Sequence, residues 1–240
     1  MKLWLGDEKN VQEIKNKLIE TYNLDDLNPL FIYKFLDNCR KAIANYIRSI
    51  YVLDPLSSTN SFNHIAVDES LFSHNLGRQL WVVGLINCET NEIRLELTEQ
   101  RNEKLLKTII LKHVQKGNIV NTDGWSGYLF LNNPANGYIH HTYNHARGNF
   151  GTGLDSTSRI ESVWSELKSK ITKIYNSIQS TNFIYFLREL EFRRIIKSWI
   201  INQNIEQFGI ALSCVGNGIN STYLTKDELI SLSYDIYYED

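Results

Sequence analysis

The chain has 240 residues, of which 42% are hydrophobic and 12% aromatic, so it is long enough for one sizeable packed domain with smaller additions and too apolar for a disordered chain. Its formal net charge of −2 argues against a protein that holds nucleic acid mainly by bulk positive charge, although basic residues outnumber acidic ones between 147 and 197. Because no stretch is apolar enough for a membrane span or a signal peptide, we expect no membrane partner and an intracellular location, nuclear or cytoplasmic.

The first part of the chain has a helical pattern. Apolar residues recur at helical spacing between residues 11 and 50 and predict two or three helices. Residues 53–63 are rich in Ser and Asn and contain a proline, which is typical of a linker. We therefore predict a helical segment over 1–60, a main domain over 61–201 and an acidic C-terminal extension over 202–240.

The main domain alternates between strand and helix patterns. Short apolar runs bounded by turn residues predict strands, and longer amphipathic stretches predict helices. The predicted elements are strands at 64–70, 79–88 and 92–99, a helix at 102–117, a strand at 118–123, a short helix, a strand at 137–143, and helices at 157–176 and 182–201. This order is that of a ribonuclease H-like domain, so we expect an α/β fold in which helices flank a mixed sheet.

Two of the predicted strands carry an aspartate at the end of an apolar run. Asp68 follows Ile65-Ala66-Val67, and Asp123 follows residues 119–122. A buried carboxylate is costly unless it has a partner or a metal ion, so both residues are candidate ligands. For either aspartate taken alone, a cap on a turn is the favoured interpretation.

A third acidic candidate, Glu161, lies in the helix predicted from residue 157. Glu161 and Lys168 are seven residues apart and share one helical face, so a carboxylate and a cation point into the same cleft. A glutamate taken alone at this position is also typical of a solvated surface. The neighbouring apolar stripe buries the helix in either case and consists of Ile160, Val163, Trp164, Leu167 and Ile171.

Three carboxylates brought together are suited to hard divalent cations. Two such ions about 4 Å apart activate a water or a 3'-hydroxyl and stabilise the leaving oxygen in phosphoryl transfer. The hypothesis from the residues is therefore a site for two Mg²⁺ or Mn²⁺ ions on Asp68, Asp123 and Glu161.

The segments around these carboxylates form a series of motifs. They are Val67–Phe72, Trp81–Gly84, Thr122–Tyr128, Gly137–His140 with Asn144-His145, and Ile160–Trp164 with Leu167-Lys168. Together they resemble the Merlin superfamily of eukaryotic cut-and-paste transposases and the related bacterial insertion-sequence transposases with an ISXO-like domain. The resemblance covers roughly residues 60 to 200, and the motifs occur in the order of the family.

The resemblance implies a retroviral integrase-like catalytic core with an Asp-Asp-Glu triad, which falls on Asp68, Asp123 and Glu161. It implies metal-dependent cleavage of double-stranded DNA at terminal inverted repeats, followed by attack of the freed 3'-hydroxyl on target DNA. It also implies a homodimer when the protein is engaged with DNA, because two element ends must be paired.

Five further residues are predicted to bind DNA or to support the site. They are Lys168, Asn144, His145, Arg159 and Trp125. For His145, a hydrogen-bonded structural role is the alternative. The helices before residue 60 resemble the end of a helix-turn-helix, and a helical cap on the catalytic domain is the alternative there.

Two other functions stay open on the sequence. Ser158 stands where relatives commonly have an asparagine, and the segment after Asp68 is shorter than in relatives, which favours a transposase-derived DNA-binding protein with decayed catalysis. Another ribonuclease H-like nuclease is the second alternative.

Overall fold

The computed structural model describes residues 10–53, 63–75, 78–143, 151–174 and 180–201. The helices are α1 (Val11–Tyr22), α2 (Pro29–Leu53), α3 (Glu103–His113), α4 (Ser158–Ile174) and α5 (Ser180–Ile201). The strands are β1 (His64–Asn75), β2 (Arg78–Asn87), β3 (Ile93–Thr98), β4 (Ile119–Thr122) and β5 (Ile139–Thr142), with two 3-10 helices, Ser126–Asn132 and Pro134–Asn136, between β4 and β5. In this part of the chain no helix is long and apolar enough to cross a membrane.

The five strands form one mixed sheet in the order β3-β2-β1-β4-β5. The pairs β1–β2 and β2–β3 are antiparallel, whereas β1–β4 and β4–β5 are parallel. An antiparallel meander followed by two parallel strands reached through helices is the ribonuclease H-like topology. The predicted fold class is therefore confirmed.

Both faces of the sheet are covered, because alternate strand residues point to opposite faces and both sets are apolar. Ile65 and Val67 of β1 face a core shared with α3 and the longer 3-10 helix. Ala66 faces a second core shared with α4 and α5. The predicted apolar stripe of α4 lies in this second core, and all five of its residues are buried.

Side chains of α5 cover the outer edge of β3. The carboxylate of Glu191 accepts a hydrogen bond from the backbone N–H of Leu95 at 2.6 Å, and Arg188 donates to the carbonyl of the same residue. Arg188 and Glu191 also form a buried ion pair at 2.8 Å. An exposed strand edge offers unpaired backbone groups to other chains, and here this salt bridge takes the place of a neighbouring strand.

The N-terminal helices pack against the far side of α5. Ile43 of α2 is fully buried in a core that includes Phe192 and Ile195 of α5. Arg40 of α2 adds an ion pair to Glu189 of α5, with Nε and Oε2 2.7 Å apart. This packing is that of a helical cap on the main domain. The boundaries near residues 60 and 201 stay predictions, because 54–62 and 202–240 lie outside the described residues.

Two elements differ from the predicted bounds. β1 continues to Asn75 instead of ending near residue 70, so Asp68 lies within the strand and not at its end. α3 ends at His113 instead of Gly117, because Val114 takes an extended conformation with φ −118° and ψ 122°. Gly117 has a φ of +94° and lies in the turn that leads into β4.

Candidate active site

Strand register places the two aspartates at the same level of the sheet. Ala66 of β1 pairs with Asn121 of β4 in the parallel ladder, and each aspartate follows two residues later. Residues two apart on a strand point to one face, so Asp68 and Asp123 are directed to the side on which Ala66 packs against α4. The expectation that two strands bring both carboxylates to one place in the sheet is consistent with this register.

Trp164 of α4 holds Asp68 in place. The indole Nε1 donates a hydrogen bond to Asp68 Oδ2 at 2.8 Å. The ring reaches the strand because residue 84 of β2, the partner of Asp68, is a glycine: a Cβ there would lie 2.4 Å from Trp164 Cη2. A buried indole N–H needs an acceptor, and a carboxylate is a strong one. The sequence analysis assigned Trp164 only to the apolar stripe and missed this role.

The three acidic residues act on one another electrostatically. Burial raises the pKa of Asp68 above its ordinary value, and the negative charges of Asp123 and Glu161 raise it further. The hydrogen bonds from Trp164 and from the backbone of Glu69 oppose these effects. Like charges repel appreciably only at short range, so the effect of Asp123 and Glu161 on Asp68 is consistent with carboxyl groups that lie near it.

Asp123 begins a tight turn after β4. Its Oδ1 accepts a hydrogen bond from the backbone N–H of Trp125 at 2.9 Å, a side chain to backbone turn that aspartate commonly makes. The preceding Thr122 donates to the carbonyl of Asp123 and lies 2.8 Å from His140 Nε2 of β5. The hydrogen bond from Trp125 matches the interpretation of Asp123 as a turn cap, and its membership of an acidic site stays a prediction.

Glu161 lies in the first turn of α4, and its side chain is exposed. Thr157 Oγ1, just before the helix, donates to Glu161 Oε1 at 3.3 Å. The backbone carbonyl of Thr157 accepts the N–H of Glu161 at 3.2 Å. An acidic side chain is favourable beside the positive end of a helix dipole, so a glutamate suits this position.

A fourth acidic residue, Glu69, lies next to Asp68 in β1 and was not predicted from the sequence. It points to the opposite face from Asp68, where Oε2 accepts the hydroxyl of Tyr128 at 2.8 Å and Oε1 accepts Arg101 Nε at 3.3 Å. Burial raises the pKa of Glu69 to about 7, and Asp68 adds to this, while Tyr128 and Arg101 oppose it. The apolar pattern of β1 gave no signal for this buried polar cluster.

The predicted supporting residues have different surroundings. Lys168 Nζ lies 5.7 Å from the ring centroid of Phe72, on the exposed side of α4. Arg159 is directed to the β2–β3 turn, where Nη1 donates to Asn91 Oδ1 at 2.8 Å. Asn144 and His145 lie outside the described residues, so their assignment stays a prediction.

The type of donor suits a hard cation, but the side chains do not yet form a complete ligand set. Among the described residues, no group of three or more His, Cys, Asp or Glu side chains is positioned to hold a metal ion. Three carboxylates that repel one another are nevertheless the oxygen donors that Mg²⁺ and Mn²⁺ prefer. A bound cation would offset the repulsion that Asp123 and Glu161 add to the effect of burial on Asp68.

A ribonuclease H-like sheet with three acidic side chains in one neighbourhood is typical of enzymes that cut and join nucleic acid strands. Residues 73–194, half of the chain, match the family of the ISXO2-like transposase domain, and the chain belongs to this family. The match includes Asp123 and Glu161, and Asp68 lies shortly before it. No curated protein matches the chain at a significant level.

Two solved structures are among those similar to this chain. A chain of the simian T-cell lymphotropic virus intasome in complex with PP2A regulatory subunit B56 gamma is 10% identical with a TM-score of 0.40, covering 57% of this chain and 50% of that one. This chain therefore spans about half the length of that relative. The HTLV-2 integrase catalytic core domain in complex with magnesium is 12% identical with a TM-score of 0.37, covering 53% of this chain and 85% of that one.

Proposed function

We propose that the protein is a DNA transposase that cleaves phosphodiester bonds at the ends of a mobile element and transfers the freed strand to target DNA. The observation that carries the proposal is the arrangement of the acidic residues in a ribonuclease H-like fold: the register of β1 and β4 sets Asp68 beside Asp123, and Trp164, in the helix of Glu161, donates to Asp68. Membership of the ISXO2-like transposase domain family supports the same activity.

In this proposal the three carboxylates hold two Mg²⁺ or Mn²⁺ ions. Asp68, Asp123 and Glu161 would supply the carboxylate oxygens that hold these ions. The ions supply activation of a water or a 3'-hydroxyl and stabilise the leaving oxygen. Glu161 has to turn from Thr157 towards the aspartates, which its exposed position in the first turn of α4 allows.

The other residues of the site orient these ligands. Trp164 fixes one oxygen of Asp68 by hydrogen bonding, and the backbone of Trp125 fixes one oxygen of Asp123. Ligands that are held before the metal arrives lose less conformational freedom on binding. Lys168, exposed on the same helix as Glu161, contacts a phosphate of the bound strand in this proposal.

A strand-cleavage assay tests the activity. Supercoiled plasmid is incubated with Mn²⁺ or Mg²⁺ and either the wild-type protein, Asp68→Asn, Asp123→Asn or Glu161→Gln. We expect nicked and linear products from the wild type and a loss of at least about a hundredfold in each variant, because each removes a charged ligand.

Glu166→Gln is the matched control for Glu161→Gln. Glu166 lies on the same helix but faces α5, where Arg194 donates to Oε2 at 2.6 Å. This variant should retain cleavage. Equal amounts of product from the wild type and Asp123→Asn would show that the cleavage does not depend on this site, and would contradict the proposed activity.

The same assay, combined with a DNA-binding measurement, distinguishes an active transposase from a transposase-derived DNA-binding protein with decayed catalysis. The incomplete ligand set in the described residues favours this second candidate. It predicts that the protein binds duplex DNA equally with and without Mn²⁺ and gives no cleavage product in either case.

The proposed partners are the terminal inverted repeats and target DNA, bound by a homodimer. Light scattering after size exclusion, with and without a duplex that carries an element end, measures the assembly. A complex with one protein per duplex, even at excess protein, would contradict paired ends.

A further inference from the structure

Arg101 lies at the same end of the sheet as the acidic site. It follows β3, whose last residue, Thr98, pairs with Trp81 of β2, and Trp81 pairs with Leu71 of β1, beyond Asp68 along the strand. Its side chain lies on the face of the sheet opposite Asp68, where Nε donates to Glu69, whereas Glu161 belongs to α4 on the face of Asp68.

Two tryptophans and Glu69 hold the guanidinium group. Arg101 Cζ lies 3.8 Å from the ring centroid of Trp125 and 5.3 Å from that of Trp81, and Nε donates to Glu69. Stacking on indoles removes water from a guanidinium group, which is more weakly hydrated than an ammonium group. The side chain is thus restricted in conformation before any ligand binds.

The main stacking partner, Trp125, is itself held on several sides. Gly127 makes room for it, since a Cβ at that position would lie 2.2 Å from the ring. Tyr128 contacts the indole edge-on with centroids 5.9 Å apart, and the backbone N–H of Trp125 donates to Asp123. The position of Arg101 is therefore coupled through one residue to the proposed ligand Asp123.

The outer edge of the guanidinium group is available to a ligand. The side chain of Arg101 is 29% exposed, and in the described part of the chain its two terminal amino groups make no hydrogen bond. Two parallel N–H donors match two oxygens of a phosphate group. An acidic site needs such a fixed cation to draw in a negatively charged DNA strand, because its own carboxylates repel that strand.

We propose that Arg101, held by Trp81, Trp125 and Glu69, binds a phosphate group of the DNA strand that enters the acidic site. This inference rests on the proposed function, since the strand it names is the substrate of that function. It adds a DNA-binding residue on the side of the site opposite α4.

The test measures equilibrium binding of a labelled, mixed-sequence DNA duplex over a series of salt concentrations without metal. We expect Arg101→Gln to weaken binding and to reduce the slope of log K against log salt by about one, because one phosphate contact releases about one counterion. Arg101→Lys keeps the charge but not the fork, so it should keep the slope and bind more weakly than the wild type.

Lys116→Gln is the matched control, because it removes one exposed positive charge in the turn before β4, at the other end of that strand from Asp123. It should leave both affinity and slope unchanged. Thermal unfolding of each variant checks that it folds. If Arg101→Gln does not fold, the folded Arg101→Lys decides, and wild-type affinity in that variant overturns the inference.

Plasmid cleavage by the same preparations separates this inference from the proposed function. Cleavage by the wild type together with unchanged affinity and slope in Arg101→Gln overturns the role of Arg101 alone. A wild type that binds but never cleaves, with the slope reduced in Arg101→Gln, overturns the transposase activity and leaves Arg101 as a phosphate contact. A wild type that binds no duplex overturns both.

Discussion

Single residues of the site were predicted from sequence to different degrees. Asp68 and Asp123 were proposed because each follows an apolar run, and Glu161 because it stands within a family motif; their role as one site stays a prediction. The donor role of Trp164 was not predictable, since helical periodicity explains the residue as a core side chain and its reach to Asp68 depends on Gly84 in a distant strand. Arg101 was missed because it lies in a connection that has no periodic pattern.

Trp164→Phe should reduce cleavage by roughly tenfold to a hundredfold, since a hydrogen bond to a charged group contributes about 1.5 to 3 kcal/mol. Phenylalanine keeps an aromatic ring against Gly84 but cannot donate to Asp68. The rate of plasmid cleavage at saturating Mn²⁺ is the measurement.

Tyr138→Phe is the control for loss of a buried hydrogen bond outside the site. The Tyr138 hydroxyl donates to the carbonyl of Val114 at 2.9 Å, so its removal should lower the melting temperature without a comparable loss of cleavage. A Trp164→Phe protein that cleaves at the wild-type rate would contradict the positioning role.

At the scale of elements, the central strands β1, β2 and β4 were predictable because their apolar runs are bounded by turns. The end of α3 was not, because Gly117 has the properties of a helix stop but serves a turn before β4, while Val114 already leaves the helix. The side-chain contacts between elements were also not predictable from the sequence. Glu96 of β3 and His113 of α3 lie 2.5 Å apart between Oε1 and Nε2, and neither residue belongs to a recognisable motif.

This β3–α3 contact predicts that the protein loses stability in acid. Burial lowers the pKa of His113 below 6.5, so the unfolded chain takes up this proton first as the pH falls. Burial raises the pKa of Glu96, but the hydrogen bond from His113 and the nearby positive charges outweigh it and hold the pKa at about 2, below the ordinary 4.5. His113 therefore gives its full contribution to stability above about pH 6.5 and loses it as the pH falls below that value. Glu96 loses its contribution in a second step, as the pH falls from about 4.5 towards about 2.

Denaturation midpoints in urea, measured from about pH 7.5 to about pH 5, test the first step. His113→Gln keeps a donor for Glu96 but cannot be protonated in this range. The variant should show a smaller fall in stability than the wild type. The same fall in both proteins would mean that other groups control the acid sensitivity.

For the whole molecule, the helical cap was one of two alternatives that the sequence left open. Apolar spacing predicts helices before residue 60 but does not say which surface they cover. The N-terminal helices cover the second apolar side of α5, because Phe192 and Ile195 on that side pack against α2. Such contacts join distant parts of the chain and leave no local signal.

Ile43→Ala should lower the stability of the entire described fold by about 2 to 5 kcal/mol, because it opens a cavity in the core between α2 and α5. Leu30→Ala, at an exposed site on the same helix, should have little effect. Unfolding in urea is followed by circular dichroism and by tryptophan fluorescence. Two separate transitions, with only the helical one shifted by Ile43→Ala, would contradict a cap that is part of one cooperative unit.

The salt bridge of Arg188 and Glu191 along β3 has a consequence for assembly. A strand from a second copy cannot add to the sheet on that side, because the backbone groups of Leu95 are already bound by α5. Growth of the sheet across an interface is then confined to the short β5, at the opposite margin of the five strands. Two copies brought together by DNA must therefore meet through β5, through helices or through loops. Continuous strand-to-strand association of many copies through β3 is blocked for the same reason.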